Sequence, residues 1–200
     1  MFKPLISSAS IASYALASRA AAKGVPAWDS NAFGRLNGLD DRLEFVVWGP
    51  MQLGALAAPL VTGGIVAFRG NRAVGARIAL AGGAAWIAAK AGKEAVGRGR
   101  PSDFEPDVKL RFGAADDGLG FPSGHAAVAV ALAIGLFPLA NGLPTRTALV
   151  ALPGVVGIAR VYVGAHYPLD VVGGWLLGIT TALTGSQLLD LAASARKEQR

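Results

Sequence analysis

One stretch near the C-terminal end, Arg160-Val161-Tyr162-Val163-Gly164-Ala165-His166-Tyr167-Pro168-Leu169-Asp170, puts reactive residue types at cooperating distances. The chain contains two histidines, and one of them is here. If a helix begins near Pro168, a residue favoured at the first helical position, Asp170 lies close enough to hold one ring nitrogen of His166. The other nitrogen is then free to attack. Arg160, at the end of the preceding apolar segment, offers a fixed cation to an anion. The stretch reads as nucleophile, orienter and anion clamp. The second histidine closes Gly120-Phe121-Pro122-Ser123-Gly124-His125, just before another apolar run. A helix opening there would aim backbone N–H groups and the positive end of its dipole at an anion, with His125 placed to donate a proton. Lys93 and Arg100-Pro101 add two cations at the exit of a third apolar segment.

Lys93 with Arg100-Pro101, Pro122-Ser123-Gly124-His125, and Arg160 with His166 and Asp170 together resemble the three-part signature of the type 2 phosphatidic acid phosphatase superfamily, over roughly residues 44 to 192. Ala159 departs from the pattern, in which a serine often precedes the arginine. That substitution removes a hydroxyl but no group with a catalytic role. The resemblance implies hydrolysis of a phosphomonoester or diphosphate through a phosphohistidine. His166 attacks phosphorus, Asp170 fixes its tautomer, and His125 protonates the departing oxygen and later activates water. Lys93, Arg100 and Arg160, with the Ser123 hydroxyl and the Gly124 N–H, hold the non-bridging oxygens. No metal and no cofactor enters this scheme. Two positions keep a plainer reading beside it: Lys93 as a snorkelling anchor and Ser123 as a simple helix cap.

The superfamily spans membrane lipid phosphatases, soluble acid phosphatases and vanadium haloperoxidases, so the signature fixes the anion site better than the substrate. Composition favours the membrane branch. Of 200 residues, 52% are hydrophobic and 16% charged, more apolar than a soluble domain normally is. The formal charge of +6 is gathered at the ends of apolar segments and not in a stripe with interleaved aromatics, which speaks against nucleic acid as a partner. With no cysteines, disulfides and thiolate metal sites are excluded. Undecaprenyl diphosphate is the favoured substrate, because compact members of this family often act on such carrier lipids. Phosphatidic acid, phosphatidylglycerol phosphate and a prenyl-linked sugar phosphate fit the same site. A lipid-binding protein without catalysis would be preferred only if a catalytic position were missing.

The elements that must position these residues follow from hydropathy. The fold expected is all-α, a polytopic bundle of five transmembrane helices preceded by an N-terminal interfacial helix. Residues 1–43 form that helix and a polar, turn-rich surface loop or short helix; residues 44–195 form the membrane-embedded domain; residues 196–200 are a charged cytoplasmic tail. The N-terminal helix, residues 2 to about 22, alternatively makes a marginal sixth span or a signal peptide. The five spans cover Phe45–Phe68, Ala73 to about Ala95, Ser123–Leu139, Ala148–Val163, and Pro168 to about Ala193. A break is expected at Asn141-Gly142-Leu143-Pro144, and residues 98–120 are expected to form a solvated lid whose carboxylates lack metal-loop spacing. Gly174 and Gly178 make a small face for packing helices, within the bundle or between two copies in a homodimer. Arg69, Arg72, Arg77, Arg146 and Arg196 all fall at one end of the spans, which the positive-inside rule places in the cytoplasm. The three motifs then share the opposite face of the plasma membrane, towards the periplasm or cell exterior.

Overall fold

The computed structural model describes residues 3–115 and 117–198, which form eight α-helices joined by loops and short 3-10 turns. They are α1 Lys3–Ala21, α2 Ala27–Asn37, α3 Glu44–Met51, α4 Ala57–Phe68, α5 Arg72–Val96, α6 Gly124–Leu136, α7 Gly142–Tyr162 and α8 Pro168–Glu198. No strand occurs among the described residues. Local chemistry sets the ends that matter for the site. Gly97 stops α5 in a left-handed conformation, φ +67°, that a side chain would resist. Ser123 opens α6 by accepting the Ala126 N–H at 3.5 Å, and Pro168 opens α8 with Asp170 in its first turn.

The bundle is organised around α6. Every residue from Ala126 to Ala133 is buried, as suits a helix that is apolar all round and enclosed by its neighbours α5, α7 and α8. Contact with α8 is close because Gly174 faces Ser123 and Ala126, and Gly178 faces Ala127 and Val130, with no room for a Cβ at either glycine. The small face expected for helix packing is thus taken up inside the chain by α6.

Several boundaries differ from the hydropathy reading. The first expected span is broken into α3 and α4, which pass together as one apolar span but meet at 62°. Pro50 removes a donor in the last turn of α3, and Gly54 passes so close to α6 that a Cβ there would lie 2.6 Å from the His125 carbonyl oxygen. The expected break at Asn141–Pro144 is instead the start of α7, six residues before Ala148, because a proline in the first turn forfeits no helical hydrogen bond. The polar segment after Trp28 does fold into a helix, α2, whose Asp29, Phe33 and Asn37 are buried.

α7 is long and apolar enough to cross a bilayer alone. Around the bundle, large apolar side chains face outward: Phe45, Val61, Phe68, Leu80, Ile87 and Val150 are all exposed. So much outward apolar surface belongs against lipid and not water. The N-terminal helix forms as α1 and stacks antiparallel along α8. Ser7 pairs with Thr184, the Thr180 hydroxyl donates to Ser10 at 3.0 Å, and Ala21 packs with Phe121 and Leu169 at the other end.

Candidate active site

Three chain segments meet at one end of the bundle: the exit of α5 with its following loop, the entry of α6, and the turn from α7 to α8. They enclose a cavity of about 690 Å³ whose walls include Lys93, Arg100, Gly124, His125, Arg160 and His166. The two remaining candidates lie directly behind the wall. Ser123 is fully buried as the cap of α6, and Asp170 is fully buried behind His166.

Backbone carbonyls hold each cation in place. Arg160 donates from Nη1 to Gly113 O at 2.6 Å and touches Met51 Sδ at 3.4 Å, which leaves its buried Nε without a partner. Arg100 donates through Nε to Asp117 O at 2.5 Å and through Nη1 to Ala165 O at 2.8 Å, next to the nucleophile candidate. The Lys93 ammonium donates to Leu119 O and Gly120 O. Three cations and the N-terminus of α6 therefore share one small volume, an arrangement that suits a multiply charged anion.

His166 is almost fully enclosed, with Nδ1 3.5 Å from Asp170 Oδ2. Burial, and then the positive charges of Lys93, Arg160 and Arg100, hold its pKa well below the usual 6.5. The imidazole is therefore neutral at physiological pH and keeps a lone pair for attack. His125 lines the same cavity from the first turn of α6. Chemically, the geometry offers a neutral imidazole nucleophile, a second imidazole for proton transfer, and fixed positive charge for an oxyanion.

The segment after α5 is solvated along much of its length, with Asp103, Asp107, Lys109 and Asp117 exposed, but three of its arginines are drawn inward. Arg98, Arg100 and Arg111 are each less than a tenth exposed. Arg111 donates to Tyr162 O, Asn37 O and Leu39 O, and Asn37 exchanges hydrogen bonds with the backbone of Lys109, so the segment is strapped to α2 and α7. Two residues that no motif singles out stand next to the site. Arg98 bridges Asp170 Oδ1 at 2.7 Å and Asp29 Oδ2 at 2.6 Å. Nothing local in the sequence marks Asp29. Arg98 is marked only by lying two residues before Arg100. Among the described residues, no group of three or more His, Asp and Glu side chains comes together as a metal-ligand set.

The chain belongs to the PAP2 superfamily, whose family model matches residues 73–192, the stretch holding all eight candidate residues. It is 28% identical over 144 residues to the undecaprenyl-diphosphatase of Sulfolobus acidocaldarius, covering 70% of this chain and 66% of that protein. Over 121 residues it is 37% identical to the decaprenylphosphoryl-5-phosphoribose phosphatase of Mycolicibacterium smegmatis, covering 60% of this chain and 58% of that protein. The match thus spans less than two-thirds of either relative. In fold it resembles the crystal structure of the first transmembrane PAP2 type phosphatidylglycerolphosphate phosphatase from Bacillus subtilis. The TM-score is 0.72 at 24% identity, covering 95% of this chain and 97% of that one.

Proposed function

We propose that the protein is an integral membrane phosphatase that removes phosphate from a lipid phosphate or diphosphate, undecaprenyl diphosphate first among them, through a phosphohistidine. The observation that carries this reading is the single cavity in which Lys93, Arg100 and Arg160 surround His166 and His125. The same cavity has an apolar side formed by Leu56, Trp86 and Ala89, where a lipid chain would leave towards the bilayer. The Sulfolobus relative supports the diphosphate, and the Mycolicibacterium relative supports a prenyl-linked sugar phosphate as the second choice. Outward apolar surface on the bundle argues against the soluble vanadate-binding branch.

In the first step the His166 Nε2 lone pair forms an N–P bond in line as the bridging P–O bond breaks. His125, entering this step as the imidazolium favoured by the bound phosphate anion, gives its proton to the leaving lipid oxygen and becomes neutral. Asp170 Oδ2 faces Nδ1 at 3.5 Å, where its charge favours the cationic ring of the phosphohistidine. In the second step His125 accepts a proton from water, the water oxygen bonds to phosphorus, and the N–P bond breaks to release inorganic phosphate. Charge held by fixed cations matters most here, because phosphoryl transfer depends largely on positioning and electrostatic stabilisation. The active site faces outward across the plasma membrane, opposite the arginine-rich ends Arg69, Arg72, Arg77 and Arg146. On this reading α3–α4, α5, α6, α7 and α8 make five spans, and α1, aligned along α8, lies at the interface or adds a sixth.

The test is phosphate release by purified protein in detergent with chelator present. Substrates are undecaprenyl diphosphate, decaprenyl-linked ribose phosphate, phosphatidylglycerol phosphate, phosphatidic acid and a soluble phosphomonoester, each run beside His166→Ala. Release from a lipid, abolished in the variant, is the expected outcome. Folded protein that releases phosphate from none of them would defeat the reading.

A further inference from the structure

We propose that Asp29 and Arg98 are positioning residues for His166, so that α2, which lies outside the matched family segment, is part of the catalytic machinery. The proposal builds on the reading of His166 as nucleophile. The geometry is a buried chain of charges. Asp170 presents Oδ2 to His166 Nδ1 and to the Tyr167 N–H, the latter at 2.9 Å. Its other oxygen, Oδ1, takes one terminal nitrogen of Arg98 at 2.7 Å, and the second terminal nitrogen goes to Asp29 Oδ2 at 2.6 Å. Asp29 Oδ1 then accepts the Leu169 N–H at 2.9 Å, in the first turn of the helix that carries Asp170. The side chains of Arg98, Asp29 and Asp170 are 1%, 0% and 0% exposed, so solvent does not screen them.

Two consequences follow for the imidazole. An arginine facing one buried carboxylate tends to grip both of its oxygens. Asp29 draws off half of the Arg98 fork, so Arg98 touches only Oδ1 of Asp170, and Oδ2 remains for His166. The charge count also changes. Two carboxylates against one guanidinium leave the chain net negative beside Nδ1, which favours the cationic ring formed when Nε2 bonds to phosphorus. Without Asp29 the chain is neutral and that preference fades. The Arg98 guanidinium also lies 4.9 Å from the Tyr167 ring centroid, which limits its freedom to adopt another geometry.

The experiment uses full-length protein in detergent with 15N-labelled histidine, and His125→Asn to assign the two ring spectra. Asp29→Asn preserves size and removes the charge. On this proposal the wild-type His166 carries its proton on Nδ1, facing Asp170 Oδ2. The expected result in Asp29→Asn is a loss of that tautomer, together with kcat lower by about 10- to 100-fold and KM within twofold, as for outer partners that orient metal-bound histidines. In an Asp170→Asn background the same change should add nothing further. An unchanged tautomer, or a loss that multiplies with Asp170→Asn, overturns the proposal in favour of a merely structural ion pair. Should Asp29→Asn not fold, Arg98→Lys decides: it keeps the buried charge but cannot fork between two carboxylates. A tautomer shift there supports the proposal, and an unchanged tautomer or an unfolded protein overturns it. Because the ring spectra need no substrate, a wild type that turned over nothing would sink the phosphatase reading and leave this one decided by NMR.

Discussion

At the cavity end of the molecule, arginines reach across the chain to backbone carbonyls: Arg111 to Tyr162 and Asn37, Arg100 to Asp117 and Ala165, Arg160 to Gly113. In the helical half, the α6–α8 contact is made by glycine against backbone, with Gly178 beside Ala127 and Val130. The first region is held by directional bonds to charged groups, the second by close approach of small residues, because lipid gives helices no hydrophobic reason to associate. The comparison teaches that chemistry and stability sit in separable places. Changes at the cavity end should lower turnover in a folded protein, and changes in the helical half should lower stability while each folded molecule works normally.

His166→Ala is the strongest test of that separation. It should lower kcat by about 10⁴-fold or more, as loss of a covalent nucleophile does, with the thermal transition in detergent kept. Arg160→Ala should lower kcat by about 10²- to 10³-fold, the scale of one lost oxyanion donor, measured by phosphate release under saturating lipid. Gly178→Leu should act from the other side, destabilising by about 1–3 kcal/mol through overpacking against α6, with kcat per folded molecule unchanged. A kcat loss of tenfold in that variant would break the comparison. The pH response is smaller again. Burial and three cations disfavour the imidazolium, so His166 has a folded-state pKa below its unfolded value and stays neutral as pH falls through 6.5. Stability associated with the neutral ring is full above 6.5 and declines only as pH drops towards the folded value; an NMR titration of the ring reads this directly. Asp41→Asn should matter least. Asp41 is exposed, and Arg111 keeps three carbonyl partners without it, so activity should stay within twofold of wild type.

The three motifs were legible because each sits at a helix end with its own local marker: Gly97 after Lys93, Ser123 before His125, Pro168 before Asp170. The apolar runs likewise announced α5, α6 and α8 to within a few residues. Asp29 and Arg98 were not legible, since Arg98 meets its carboxylates across 69 and 72 residues of chain and no local pattern encodes a pairing at that distance. The bend between α3 and α4 escaped for a related reason. It reflects how closely Gly54 passes His125, a property of the packed bundle and not of the run of apolar residues. The charge mixture after α5 reads correctly for the exposed Asp103, Asp107, Lys109 and Asp117 but not for Arg98, Arg100 and Arg111, because a buried arginine serving carbonyls or carboxylates has the same letter as a solvated one.

The antiparallel seam between α1 and α8 has a consequence for biosynthesis. Its hydroxyl pairs join residues 177 and 170 positions apart, Ser7 with Thr184 and Ser10 with Thr180. A ribosome completes α1 long before α8 exists, so Ser7 and Thr184 can pair only after the helices between them have been made, whereas Ser10 already donates to the Ser7 carbonyl within α1. Contacts of such long sequence separation form late. The seam therefore closes late in assembly, and a chain that lacks α8 should leave the Ser7 hydroxyl without its Thr184 partner.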